Sequence, residues 1–158
     1  MRLVSKIFTY TLGLDCQISR NIFAYFSLRR EACQGGVNLG AATYDPQNPT
    51  FKPKFDLSHE LGIKADWSIG NVALCTNRAA FYDNYSDIQT YLNVVSTDGA
   101  LLSTVHNATQ ATIKGIEADM TTVPIPGLAI SANWAYTEAA YSKAGYTAAQ
   151  IAAARRSS

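Results

Sequence analysis

The chain has 158 residues, a formal net charge of +1 and only 16 % charged residues. So small a charge gives no field for nucleic acid, and no apolar run reaches the ~18 residues of a transmembrane helix. A mean hydropathy near zero still admits a transmembrane β-barrel, whose alternating strands hide their apolar face from averages.

Residues 1–7 carry Arg2 and Lys6, but Thr9, Tyr10 and Thr11 soon interrupt any apolar stretch, so no secretory signal is read here. An outer-membrane protein needs such a signal, and the expectation is that Met1 is not the native start. From Phe8 the chain alternates: Phe8, Tyr10, Leu12, Leu14, Cys16 and Ile18 oppose Thr9, Thr11, Gly13, Asp15, Gln17 and Ser19. A period of two predicts a strand. A turn at Ser19-Arg20-Asn21 leads to a second strand ending near Arg30, with Ile22, Ala24, Phe26 and Leu28 on one face and Phe23 and Tyr25 on the other.

Residues 31–54 read as a long connection, since Gly35-Gly36, Asp45-Pro46 and Asn48-Pro49 all mark turns. The third strand runs from about Phe55 to Trp67. Leu57, His59, Leu61, Ile63, Ala65 and Trp67 face one way, and Ser58, Glu60, Gly62, Lys64 and Asp66 the other. After a turn at Ser68-Ile69-Gly70-Asn71 the fourth strand covers about Val72 to Gln89. Its phase is open: even positions bring Arg78 to the apolar face, and odd positions bring Asn77.

Tyr91–Val95 and Ala100–Val105 flank Thr97-Asp98-Gly99, a hairpin signal. Two long strands then span Asn107 to Tyr141, joined at Pro124-Ile125-Pro126-Gly127, where the prolines cannot donate to a ladder and the glycine allows positive φ. Ile113 and Ile116 are out of phase. A one-residue bulge at Gly115 is expected to bring both to one side and Lys114 and Glu117 to the other. Leu128, Ile130, Ala132, Trp134 and Tyr136 form a clean apolar face ending in aromatics, as an interfacial girdle would. Ala148 to Arg156 is Ala-rich and reads as a short helical turn or a disordered tail.

Strands this long exceed the soluble mean of about 5–6 residues and suit the 9–11 or so that an outer-membrane strand needs. Short turns near 20, 70 and 125 alternate with long connections at 31–54, 86–107 and after 141. Outer-membrane barrels segregate short and long connections in this way. The predicted fold is therefore all-β: an antiparallel up-and-down meander, part of a large transmembrane β-barrel.

Several pieces resemble the barrel of TonB-dependent outer-membrane receptors. They are Gly35-Gly36-Val37-Asn38, Glu60-Leu61-Gly62-Ile63-Lys64 and Ala80-Phe81-Tyr82-Asp83-Asn84-Tyr85-Ser86-Asp87-Ile88-Gln89. Asn107-Ala108 leads into Lys114-Gly115-Ile116-Glu117, and Ala135-Tyr136-Thr137 closes the series. The resemblance extends from about Phe8 to Tyr146. It departs at Glu31-Ala32-Cys33, where the family has glycine, an aromatic and a basic residue. It departs again at Lys54, where the family has glutamate, and at Arg78, where the family has an apolar residue.

The resemblance implies a barrel closed around a plug that imports a scarce nutrient such as an iron–siderophore complex. In a barrel of about 22 strands, the six main strands here form roughly a quarter of the wall. Residues 1–158 are then expected to be an incomplete segment with no plug domain. Its partners are outer-membrane lipid, a small-molecule substrate, and TonB and the plug through the parent protein. Nucleic acid is excluded, and the expected location is the bacterial outer membrane.

No catalytic constellation is legible, and no cofactor or metal is implied. His59 and His106 are far apart in sequence. Cys16, Cys33 and Cys75 are odd in number, widely spaced and without a Cys-x-x-Cys pair. Glu60, Lys64, Asp66, Lys114, Glu117 and Asp119 are the charges assigned to the lumen. Substrate selectivity falls to the connections 31–54 and 86–107, because loops carry binding; individual ligand-binding residues are unknown at this level. The alternative is a soluble all-β sugar-binding module. It would have to cover Leu57, Leu61, Ile63, Trp67, Leu128, Ile130, Trp134 and Tyr136 with a second layer, and no amphipathic helix is available for that. A hydrolase using Glu117 with Glu138 is a distant third reading.

Overall fold

A computed structural model describes residues 6–38, 50–95 and 101–144. The strands are β1 (Tyr10–Ser19), β2 (Ile22–Cys33), β3 (Gly36–Val37), β4 (Thr50–Phe51), β5 (Lys54–Ile69), β6 (Val72–Val95), β7 (Leu101–Ile125) and β8 (Leu128–Ala144). Six form one antiparallel sheet in the order β1-β2-β5-β6-β7-β8, and β3 pairs with β4 in a small second sheet. Neighbours in the sheet are neighbours in sequence apart from the β3–β4 excursion, so the chain is an up-and-down meander.

Two-residue turns close one end of the sheet at Arg20-Asn21, Gly70-Asn71 and Pro126-Gly127. Gly70 has φ 62° and Gly127 has φ 87°, the left-handed region that glycine enters without steric cost. Pro124 lies inside β7, within the register shift between Thr122 and Ile125, where a missing N–H costs the ladder nothing.

The register assigns the faces, because directly paired residues point the same way. One row crosses the sheet as Cys16, Ala24, Ile63, Arg78, Ala118 and Trp134; the next is Leu14, Phe26, Leu61, Ala80, Ile116 and Tyr136. The opposite face carries rows such as Gln17, Phe23, Lys64, Asn77, Asp119 and Asn133. The sheet therefore has one apolar and one polar face.

Among the described residues the only buried hydrophobic side chains are Ala65 and Ala111, so no core forms on either side. Leu61 (60 % exposed), Trp134 (57 %) and Tyr136 (57 %) lie open on the apolar face. Ile63, Trp67, Leu128 and Ile130 are also exposed there, and Leu57 is intermediate. No second layer covers this face among the described residues, which is what a soluble module would require.

The structure settles the open phase of β6. Even positions face the apolar side: Arg78 pairs with Ile63 and Ala118, while Asn77 pairs with Lys64 and Asp119 on the polar side. It also corrects three expectations. First, β7 has no bulge at Gly115; the ladder runs straight through, with Gly115 opposite Phe81 and Thr137. The reason is steric: a Cβ at Gly115 would meet the Phe81 ring at 2.7 Å and overlap the Tyr136 carbonyl oxygen. The glycine makes room for a ring, and the register shift comes instead between Gln110 and Ala111. Ile113 accordingly turns to the polar face beside Asp83 and Ala139.

Second, Lys114 is not a polar-face residue. It pairs with Tyr82 and Glu138 on the apolar side, and its Nζ lies 3.4 Å from Glu138 Oε1. The apolar run on β8 thus ends at Tyr136, and an ion pair follows it. Third, the described parts of 86–107 are not loop: the strand pairing expected from Tyr91–Val95 and Ala100–Val105 forms, with Tyr91–Val95 against Leu101–Val105, and it continues β6 and β7. β6 is 24 residues long and β7 is 25, against 16 for β5 and 17 for β8, so the central hairpin outruns its neighbours as a ribbon. β1 starts at Tyr10 rather than Phe8, and β8 extends to Ala144. The hairpin tip at Thr97-Asp98-Gly99, the turns at Asp45-Pro46 and Asn48-Pro49 and the Ala-rich tail lie outside the described residues.

Candidate functional site

Alternation brings Glu60, Lys64, Asp66, Glu117 and Asp119 to the polar face, as the spacing predicts. Side chains there are tied across strands. Tyr25 Oη donates to Glu60 Oε1 at 2.6 Å, and Lys64 Nζ lies 5.7 Å from the centre of the Tyr25 ring. Asn77 Nδ2 donates to Asp119 Oδ2 at 3.3 Å. A Cβ at Gly62 would overlap the Tyr25 ring, so Gly62 stands to Tyr25 as Gly115 does to Phe81. Both pairs lie on the polar face, where a ring laid over a glycine covers exposed backbone and fixes the register. Toward the tight turns, Arg20, Lys64, Asp66, Asn77 and Asp119 line an open hollow.

The hydrolase pair is excluded by geometry. Glu117 is on the polar face opposite Ala79 and Ala135, whereas Glu138 is on the apolar face with Lys114. A sheet separates the two carboxylates. His59 sits on the apolar face, edge-on to Tyr82 at 6.3 Å, and His106 lies in the outer ribbon beside Thr104. The structure does not bring the histidines together. Cys16 is on the apolar face, Cys33 and Cys75 are on the polar one, and all three are free and exposed.

The main feature not legible from periodicity lies at the open end of the sheet. Beyond Ser86 the ribbon leaves β5, and beyond Thr109 it leaves β8. There the two arms of the β2–β5 connection, Gln34–Asn38 and Thr50–Pro53, reach it through side-chain amides. Asn38 Nδ2 donates to Val105 O, and Val105 N donates to Asn38 Oδ1, both at 2.8 Å. Asn107 does the same in the other direction: Lys52 N donates to Asn107 Oδ1 at 2.6 Å, and Asn107 Nδ2 donates to Lys52 O at 2.9 Å.

Gln89 Nε2 adds bonds to Gln34 O and Lys52 O, each 3.0 Å. A bulge in β6 serves the same junction. Asp87 has φ 54°, the ladder shifts between Tyr85 and Gln89, and the Asp87 carbonyl accepts from Asn107 Nδ2 at 2.8 Å. Gly35 and Gly36 allow the two arms to close on each other. A Cβ on Gly35 would overlap the Phe51 carbonyl, and one on Gly36 would meet the Phe51 ring at 2.7 Å.

The two connections assigned to recognition, 31–54 and 86–107, are therefore brought together through their described residues. The arrangement as a whole is a two-faced wall with tight turns at one end and interlocked connections at the other. Chemically it offers surfaces and hydrogen bonds.

No curated protein matches this chain. The family model described as TonB dependent receptor-like, beta-barrel, matches residues 8–157. That family consists of outer-membrane transporters and receptors rather than enzymes. Family match, meander and two-faced wall agree, and the chain belongs to the TonB-dependent receptor-like β-barrel family.

Proposed function

We propose that the chain is a segment, about a quarter, of the wall of a larger barrel in the bacterial outer membrane, and that the whole receptor imports a scarce nutrient such as an iron–siderophore complex. The apolar face meets lipid, the polar face lines the lumen, and the outer connections contact the incoming solute. The plug and TonB act through the parent receptor: energy coupling reshapes or withdraws the plug, and solute passes along the polar wall. No step is catalytic and no cofactor is needed.

The observation that carries this reading is the segregation of the faces. A row such as Leu14, Phe26, Leu61, Ala80, Ile116 and Tyr136 runs unbroken over all six strands of the main sheet, uncovered, with the charged rows opposite. In water such a face is an aggregation surface; against hydrocarbon it is a matched one. Open edges at β1 and β8 require further strands, because lipid does not tolerate an unpaired edge.

The test is made on the complete receptor. It is expected to fractionate with the outer membrane and to migrate as a heat-modifiable band. Cells carrying it are expected to take up ⁵⁵Fe, offered as hydroxamate, catecholate or citrate complexes, only when TonB is present. Recovery of the folded protein in the aqueous fraction would overturn the membrane assignment, and TonB-independent uptake would overturn the mechanism. If none of the iron complexes enters, iron is the wrong nutrient.

A further inference from the structure

We infer that Asn38 and Asn107 form a reciprocal amide latch, which holds the two arms of the β2–β5 connection as one strap on the β6–β7 ribbon. An asparagine side chain carries the same donor and acceptor as a peptide group. Each of these two presents both to one residue's backbone N–H and C=O, as a neighbouring strand would. The strap gives Asn38 to Val105 of the ribbon, and the ribbon gives Asn107 to Lys52 of the strap. Each side thus supplies the amide that satisfies the other's backbone.

Asn107 makes a further bond, since its Nδ2 also reaches the Asp87 carbonyl, which the β6 bulge turns toward it. Asn38 is 7 % exposed, and Thr104 next to its partner Val105 is 2 % exposed, whereas among the described residues the hydrophobic side chains around the junction do not close into a core. Polar bonds tie the two described arms to the ribbon, and because they are reciprocal the loss of one end loosens the other. The strap has two states, latched and lifted, and the reciprocal bonds couple its two ends. In the transport reading proposed above, on which this consequence rests, the latch makes two connections distant in sequence present one outer surface to the solute.

The test is hydrogen exchange on the complete receptor, read in peptides containing Lys52 and Val105. Each substitution must act at the far end. Asn107→Ala is expected to raise exchange at Val105, whose own partner Asn38 is untouched, by about tenfold or more, and Asn38→Ala to do the same at Lys52. Exchange in the β5–β6 ladder around Ile63 is expected to stay as it was, which separates lifting from general unfolding. Loss of protection confined to each substituted residue's own partner would mean independent bonds and would overturn the latch.

A second measurement does not depend on those variants folding. In the unsubstituted receptor the amides of Lys52 and Val105 are expected to exchange through openings of closely matching free energy, and openings that differ by more than about tenfold overturn the strap. Coupled exchange without nutrient uptake would sink the transport reading and leave the latch standing. Uptake without coupled exchange would do the reverse.

Discussion

Replacing Arg78 by leucine tests which face of the wall meets lipid. Arg78 is exposed on the apolar face between Ile63 and Ala118, with the small side chains of Thr76 and Ala80 on either side along the strand. None of the ion pairs among the described residues includes it. From Val72 beside the tight turn, β6 rises about 20 Å to Arg78 at about 3.3 Å per residue. A tilt of about 40° turns this into roughly 15 Å of height, near the middle of an apolar band about 25 Å tall. An arginine at that depth costs about 2–4 kcal/mol.

Arg78→Leu should therefore stabilise the complete barrel by about 2–4 kcal/mol, about 30- to 900-fold in the folding equilibrium. Urea titration of the barrel folded into lipid vesicles is the assay, and the midpoint should rise with the slope unchanged. Adjacent residues on β8 supply the internal check. Ala132→Arg, on the apolar face beside Met120, should lower the midpoint by a similar free energy, whereas Ser131→Arg, beside Thr121 on the polar face, should stay within about 0.5 kcal/mol. A midpoint that is unchanged or lower in Arg78→Leu would mean that the guanidinium has a partner or meets water. The assignment of lipid to this face would then fall.

Three further outcomes follow from the packing of the wall. Gly115→Val should destabilise the barrel by about 1–3 kcal/mol in the same titration, because its side chain must displace the Phe81 ring. Tyr25→Phe removes the donor to Glu60 and should cost about 1 kcal/mol, the part-exposed site keeping the loss below that of a buried charged hydrogen bond. A double-mutant cycle of Lys114→Ala and Glu138→Ala should give a coupling of about 0–1 kcal/mol that shrinks with added salt, since both side chains are 51 % exposed; a coupling of several kcal/mol would place this pair in hydrocarbon rather than at the interface.

Most of the wall is legible in the sequence because one rule generates it. Leu128, Ile130, Ala132, Trp134 and Tyr136 alternate with polar or small residues, and strand geometry converts that alternation directly into two faces. Gly70 and Gly127 mark their turns because the backbone there needs positive φ. The rule fails where the information lies on another strand. Neither phase of β6 is clean by itself, and Arg78 is assigned to the apolar face only by its partners Ile63 and Ala118, whose own strands alternate cleanly at those positions. Gly115 looks like a bulge within its own strand, but the reason for the glycine is the Phe81 ring on β6.

The outer ribbon is legible only in its hairpin signal, and its continuity with β6 and β7 is hidden for a different reason. Ser86 and Asp87 are typical of loops, and their bulge interrupts an alternation that resumes beyond it. The strap has no periodic signature at all, because asparagine side chains replace backbone in a ladder, and one asparagine looks like another until its partner is known. What distinguishes Asn38 and Asn107 is position: Asn38 follows a glycine pair that permits close approach, and Asn107 faces Gln89 across the ribbon where the ladder has just shifted. Short-range pattern therefore builds the two-faced wall, while the interlocked end depends on contacts between residues 55 and 67 positions apart. Substitutions along the wall should be judged by depth and face, and those at the outer end by the particular amide they remove.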